Sequence, residues 1–259
     1  MEKEFGKLSR VQLQRLFAFV HKANLEKADV TDVALEKATN SEEFKNIPFF
    51  WAYFYELPFL PFTVLLLRCL EVDRIEEFGK ELDPNEAAIA WLETEPESPL
   101  DFMALSMEEK GITLSLCMAC LYNFESIRQY HFSINELIEK VREGNAEALF
   151  QAVSIDPVVL SCPTVAKHMA FATMRQDWDF YHQLSKAITK TRPRRPKEDL
   201  DDARMAALIL DQAAGLNNLS YEQITDVLVD TLQVFSADGL DPFSAVKKFI
   251  QRRQKAVGT

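Results

Sequence analysis

Ile47-Pro-Phe-Phe-Trp-Ala-Tyr-Phe-Tyr-Glu-Leu-Pro-Phe-Leu-Pro-Phe-Thr-Val-Leu-Leu-Leu-Arg-Cys-Leu70 is the most apolar stretch of the chain. Eight aromatic residues fall between Phe49 and Phe62, and the charges are confined to Glu56 and Arg68. A run of this length raises the question of a membrane span, which takes about 20 unbroken apolar residues. Pro58 and Pro61 lie inside it, where each removes an amide donor and crowds the preceding turn. Glu56 would be costly in hydrocarbon. The stretch therefore reads as two buried helices and not as a span. Pro48 suits the first position of one helix, ending near Leu57, and Pro61 the first position of the next, running to about Val72. Phe62, Val64, Leu65, Leu66, Leu67 and Leu70 leave the second helix apolar on nearly every face, as expected of a core element.

Outward from this stretch the punctuation is helical. Ser9-Arg-Val-Gln12 is a capping box, with Val11, Leu13, Leu16, Phe17, Phe19 and Val20 following at broadly helical spacing. A second helix is expected over Asp29 to Lys37, and Ser41-Glu42-Glu43 opens the approach to the aromatic run. Asp83-Pro84-Asn85-Glu86 combines a capping aspartate, a proline at the first helical position and an early glutamate. Glu95 to Pro99 is a loop. Ser106-Met-Glu-Glu109 opens a long helix reaching about Gln129, and Ser133-Ile-Asn-Glu136 opens the next. Val158-Val159-Leu160 is too short an apolar run for a strand.

Between Ser133 and Lys190 the expected helices are short. Gly144-Asn145 closes one and caps another, and Gln176-Asp177 repeats the arrangement 32 residues on. The spacing resembles the period of helical-repeat arrays, but two weak copies are fewer than an array needs. Helical hairpins within one bundle are the simpler expectation.

Lys190-Thr-Arg-Pro-Arg-Arg-Pro-Lys197 is basic and proline-broken, and so reads as a linker. Beyond it, Asp201 to Ala214 is a helix closed by Gly215. Ser220-Tyr-Glu-Gln223 starts a helix through Ile224, Val227, Leu228 and Leu232. Asp241-Pro242 starts a last helix with Phe243, Val246, Phe249 and Ile250 inward. The expected fold is thus all-α: a multi-helix bundle of short hairpins with a small C-terminal three-helix unit. Its parts are an acidic body (1–189), a basic linker (190–199) and the C-terminal unit (200–259).

Composition narrows the function classes. The 259 residues are 47% hydrophobic and hold seven glycines, few for all-β or dinucleotide-binding architectures that spend glycine on turns and phosphate loops. The net charge of −11 disfavours a general nucleic-acid coat. Its distribution is uneven: residues 1–185 carry 17 basic against 30 acidic residues, and residues 186–259 carry 12 against 10. Four cysteines, with a charged N-terminal segment lacking a secretory apolar core, point to reduced thiols in the cytoplasm.

Candidate chemistry is sparse. Cys117-Met-Ala-Cys120 would place two thiols on one helix face, but a zinc site needs a second ligand pair, and Cys162, His131 and His168 are scattered. His168 and His182 read as structural, and Asp177 and Asp179 favour a helix start. No phosphate-loop, dinucleotide, nucleophile-elbow or zinc-protease motif occurs. The expectation is therefore a non-enzymatic protein without cofactor or metal, whose partner is another protein within a complex. The alternative is a nucleic-acid-associated protein, a regulator or a component of a mobile-element or defence complex. The C-terminal unit shares the general form of trihelical DNA-binding modules, which end in a basic amphipathic helix. Its contacts to phosphates, or to an acidic partner, would run through Arg192, Arg194, Arg195, Lys247, Lys248, Arg252 and Arg253.

Overall fold

The computed structural model describes residues 4–22, 50–67, 82–92, 104–189, 200–235 and 241–257. The expected helix at Asp29–Lys37, the start at Ser41, the loop at Glu95–Pro99 and the linker at Lys190–Lys197 all lie outside these residues. What is described is all-α, with eleven helices. The extended pairing seen among these residues is an isolated bridge between Phe5 and Leu8. In chain order the helices are α1 (10–22), α2 (Phe59–Leu67), α3 (Pro84–Leu92), α4 (Met107–Tyr130), α5 (Ile134–Arg142), α6 (Ala146–Ile155), α7 (Pro163–Arg175), α8 (Trp178–Thr189), α9 (Asp201–Ala214), α10 (Tyr221–Thr225) and α11 (Pro242–Val257). No described helix is long and apolar enough to cross a membrane.

The starts follow from the caps. Ser106, Ser133 and Ser220 each close a capping box, and Asn145 accepts from the Ala148 amide at 3.1 Å. Each such cap satisfies amides that the first turn leaves without intrahelical partners, and is worth about 1 kcal/mol.

The aromatic run differs from the expectation in two respects. Where a helix from Pro48 to Leu57 was expected, the described part is a short 3-10 turn, Ala52–Glu56. The next helix begins at Phe59, so Pro61 is its third residue and not its first. Physically, any position in the first turn tolerates a missing amide, because that amide has no intrahelical acceptor. The break at Pro58 leaves carbonyls over, and these are met from across the core. Asn135 Nδ2 donates to Phe54 O at 2.6 Å and Leu57 O at 2.8 Å. Asn123 Nδ2 in turn donates to Asn135 Oδ1 at 2.8 Å, fixing that amide's orientation. Tyr55, Phe59, Leu60, Phe62, Leu65 and Leu66 are buried at the centre of one apolar cluster that extends from Phe5 to Ile250. Glu56, the charge inside the run, faces outward: it accepts from the Thr164 amide and hydroxyl and pairs with Arg142 at 3.0 Å.

The 32-residue spacing corresponds to two consecutive helical hairpins, α5–α6 turning at Gly144-Asn145 and α7–α8 turning at Gln176-Asp177. Gln176 adopts the left-handed conformation (φ 55°) that ends α7. The second hairpin lies on the first, α7 against α5 and α8 against α6.

The C-terminal helices share the common core. α9 packs on α4 and α2, and Arg128 forks onto Asp201 with two contacts of 2.7 Å. After α10 the chain widens into a π-helix, Asp226–Thr231. The wider turn brings two side chains five residues apart to one guanidinium: Arg10 of α1 donates to Asp226 at 2.8 Å and to Thr231 at 2.7 Å. The N-terminal segment docks on the end of α9 through Lys7 N–H to Ala213 O, 2.9 Å. Gly6 (φ 61°) is required there, since a Cβ would stand 2.6 Å from Ala213 O.

Candidate interaction surface

α7 starts with Pro163 at its first position, where a missing amide costs nothing. Its inner side is Val165 and Ala172, and that of α8 is Phe180, Leu184 and Ala187. The turn between them is locked twice. Asp177 Oδ1 accepts from the Phe180 amide at 3.0 Å. The Tyr181 hydroxyl donates to Met169 O at 3.2 Å and is also hydrogen-bonded to the Thr173 hydroxyl. His168 packs its ring on Phe180, with centroids 5.6 Å apart.

The outer side of this hairpin is apolar as well. Phe171 is 48%, Met174 80% and Trp178 75% exposed. Phe171 and Met174, three residues apart, share one side of α7, and Trp178 opens α8 beyond the left-handed turn at Gln176. The face of the first hairpin is covered by the second, whereas the second has nothing packed on its outer face among the described residues. Terminal units of stacked helical arrays carry a polar outer face; here Phe171, Met174 and Trp178 interrupt it. Sequence reasoning missed these three residues. The available signal was that α7 bears apolar residues on two sides, Val165–Met169–Ala172 and Phe171–Met174, where burial against one layer needs one.

The residues expected to form the basic site do not come together as one exposed surface. Arg192, Arg194 and Arg195 lie outside the described residues. Lys248 and Arg252 are exposed on α11, and half-buried Lys247 sits over the Tyr221 ring at 5.4 Å. Arg253 is a correction: it is 1% exposed and points inward. It donates to His131 O and to Asp211 Oδ2, the latter at 3.1 Å, and lies 3.6 Å from Glu136 Oε1. The reason is its position on α11, three residues beyond buried Ile250 and four beyond Phe249, on the face that meets the core. Burial raises the Glu136 pKa, with Arg253 opposing the shift. Burial, then Arg204 and Arg253, lower that of His131 to about 4. These groups tie α11 to the start of α5.

A surface cleft of about 500 Å³ opens between α6, α8 and the end of α4, lined by Tyr130, Glu147, Phe150, Gln151, Gln183 and Lys186 among others. The Tyr130 hydroxyl is engaged with Ser154 at 2.8 Å, and the lining pairs no nucleophile with a base. Cys162 is a free thiol. The Cys162 thiol donates to Ala52 O at 3.3 Å, and burial pushes its pKa up, the opposite of what a reactive thiolate needs. No group of side chains suited to hold a metal ion occurs among the described residues.

Comparison with family models, with curated proteins and with solved structures finds no match to this chain.

Proposed function

We propose that this chain is a non-enzymatic helical interaction protein that works in the cytoplasm within a protein complex, and that the outer face of α7–α8 is its contact surface. The observation carrying the reading is the exposure of three large apolar side chains, Phe171 and Met174 on α7 and Trp178 at the start of α8, on a hairpin whose inner side already fills the core. Singly exposed apolar residues are ordinary, whereas three large ones within eight residues of chain support an interaction site there. The test is a photoreactive amino acid at position 174 in the full chain, expressed in its own cells. The expected result is a discrete crosslink to another protein that is missing when the probe stands at exposed Lys248. Equal or absent crosslinking at the two positions would overturn the reading.

A second reading, nucleic-acid contact through the last helix, is supported by Lys248 and Arg252, exposed one helical turn apart. Binding of labelled duplex and single strands at low salt tests it. Affinity that falls steeply with salt supports phosphate contact, and absence of binding at low salt removes it.

A further inference from the structure

The last helix is held to the body by few groups. α11 packs chiefly on α10, and its buried side chains among the described residues are Val246, Phe249, Ile250 and Arg253. Arg253 is its reach into the rest of the fold. The guanidinium donates to the His131 carbonyl and to Asp211 Oδ2 at 3.1 Å, and lies 3.6 Å from Glu136 Oε1. His131 ends α4 in the left-handed conformation (φ 64°). Its ring is half-buried, and Nδ1 is enclosed without a hydrogen-bond partner among the described residues. A neutral imidazole can leave that nitrogen as a bare acceptor. A protonated one donates from both nitrogens, which would make Nδ1–H a buried donor with nothing to accept it.

The surrounding charges oppose a proton there as well. Burial first, then Arg204 of α9 and Arg253 of α11, disfavour the charged ring. The carboxylates of the region are engaged with other groups. Asp201 of α9 accepts from Arg204 and from Arg128 of α4, each at 2.7 Å, and Glu125 lies 3.5 Å from Arg128. Asp211 of α9 and Glu136 of α5 face Arg253, and Glu136 also accepts from Gln212 and the Ser133 amide. Lys140 of α5 stands over the neighbouring Phe132 ring at 4.4 Å. Of the two arginines, Arg204 is the fixed one, since α9 is buried without interruption from Ala203 to Leu210. Arg253 rides on a terminal helix with few anchors, and elements with few buried contacts open first. We propose that the docking of α11 is acid-sensitive: protonation of His131 drives Arg253, and α11 with it, off the start of α5. Release bares Phe132 on the body and Val246, Phe249 and Ile250 on the helix, so apolar surface that is closed at neutral pH becomes available in acid.

The sign follows by linkage. Opening takes up a proton at His131, so acid promotes it from the ordinary histidine value of about 6.5 down to the docked value of about 4. Glu136 works the other way: burial raises its pKa, so the docked state holds that proton and acid favours docking on that count. The experiment separates the two by changing His131 alone. Amide hydrogen exchange of α11 is followed in the full chain at pH 7 and pH 5, corrected for the intrinsic pH dependence of exchange, in the wild type and in His131→Asn. Asparagine accepts the left-handed conformation and does not titrate, and Glu136 is common to both chains. The opening equilibrium of α11 is expected to rise about twentyfold more in the wild type than in the variant, while α4 and α9 keep their protection. Equal changes in the two chains would overturn the proposal. So would loss of protection in α4 and α9 together with α11, because the whole chain would then be opening. A second measurement needs no variant: in NMR spectra of the histidine-labelled wild type, the His131 imidazole is expected to titrate well below its ordinary value of about 6.5. Titration at or above that value would remove the switch.

Discussion

The Tyr55 hydroxyl donates to Asp156 Oδ2 at 2.7 Å, joining the aromatic run to a residue 101 positions later in the chain. Trp51 Nε1 donates to the same oxygen at 2.6 Å, and Asp156 Oδ1 accepts from the Val158 amide at 3.0 Å. One carboxylate, 1% exposed, thus caps the turn after α6 and holds two aromatic rings in place. Burial first, and the adjacent Asp156 second, raise the Tyr55 pKa well above its ordinary value.

Replacing this carboxylate should be among the more damaging single changes. Asp156→Ala leaves the buried Tyr55 hydroxyl without this acceptor, at about 1–3 kcal/mol, and also removes the acceptor of the half-buried Trp51 indole N–H and of the Val158 amide. The expected loss is about 2–5 kcal/mol in urea denaturation. Tyr55→Phe removes one donor cleanly and should cost only about 1 kcal/mol. Equal losses from the two variants would show that the carboxylate does not serve both rings.

Glu136 makes a prediction about pH. Its folded pKa is raised by burial, so the folded state holds that proton more tightly than the unfolded chain does. The sign follows by linkage: the stabilisation from this group is present below the unfolded carboxylate value of about 4.3 and is lost as pH rises through the folded value. Glu136→Gln keeps an N3 side chain able to close the box with Ser133, yet does not titrate. The stability difference between variant and wild type should therefore move in favour of glutamine as pH rises from about 4 to 7. A flat or opposite trend in denaturation midpoints over this window would count against the buried placement.

The sequence and structure agree where a single residue type has one local use. Ser106, Ser133 and Ser220 sit before glutamate or glutamine at the third position, and each proved to be a cap, because that geometry is complete within four residues. Gly215 and Asp241 likewise bound their helices through contacts within five residues, Gly215 N–H donating to Asp211 O and Asp241 accepting from the Ser244 amide. Legibility ended where the deciding contact was distant. Nothing near Pro58 shows that Asn135 donates to the carbonyls of Phe54 and Leu57. Nothing near Val227 shows that Arg10 selects a π-helix by bridging Asp226 and Thr231. The basic character of α11 was legible from its composition, but which of its arginines turns inward depends on Asp211 and Glu136, residues 42 and 117 positions away. The apolar outer side of α7 was hidden for another reason: periodicity identifies an amphipathic helix and does not say which of two apolar sides meets the core.

The two sides of the α7–α8 hairpin should respond oppositely to mutation. Met174→Ser and Trp178→Ser change exposed side chains and should alter stability by no more than about 0.5 kcal/mol. Leu184→Ala on the inner side, where the residue is 5% exposed, should cost about 2–5 kcal/mol. Urea denaturation of the three variants decides it. A large loss from either outer substitution would mean that these side chains are part of the folding core and not a free surface.

Arg252 and Arg253 are adjacent in sequence and should differ sharply. Arg252 is exposed near the end of α11, where a cation gains a few tenths of a kcal/mol from the helix dipole, so Arg252→Ala should barely move the melting temperature. Arg253 is enclosed with Asp211, Glu136 and the His131 carbonyl, and its guanidinium lies 5.7 Å from the Phe132 ring centroid. Removing it leaves Glu136 buried without that cation, and breaking a buried pair from one side costs about 3–5 kcal/mol. Arg253→Ala should therefore lose that much in denaturation. Part of the loss should be recovered by adding Glu136→Gln, since the orphaned charge is then gone. The same asymmetry bears on nucleic-acid contact. If α11 touches phosphates, Arg252→Ala should lower the salt slope by about one unit, whereas Arg253 has no free guanidinium to offer. Arg253→Ala melting like the wild type, with a salt slope reduced as much as by Arg252→Ala, would place both arginines on the surface and remove the buried tie between α11 and α5.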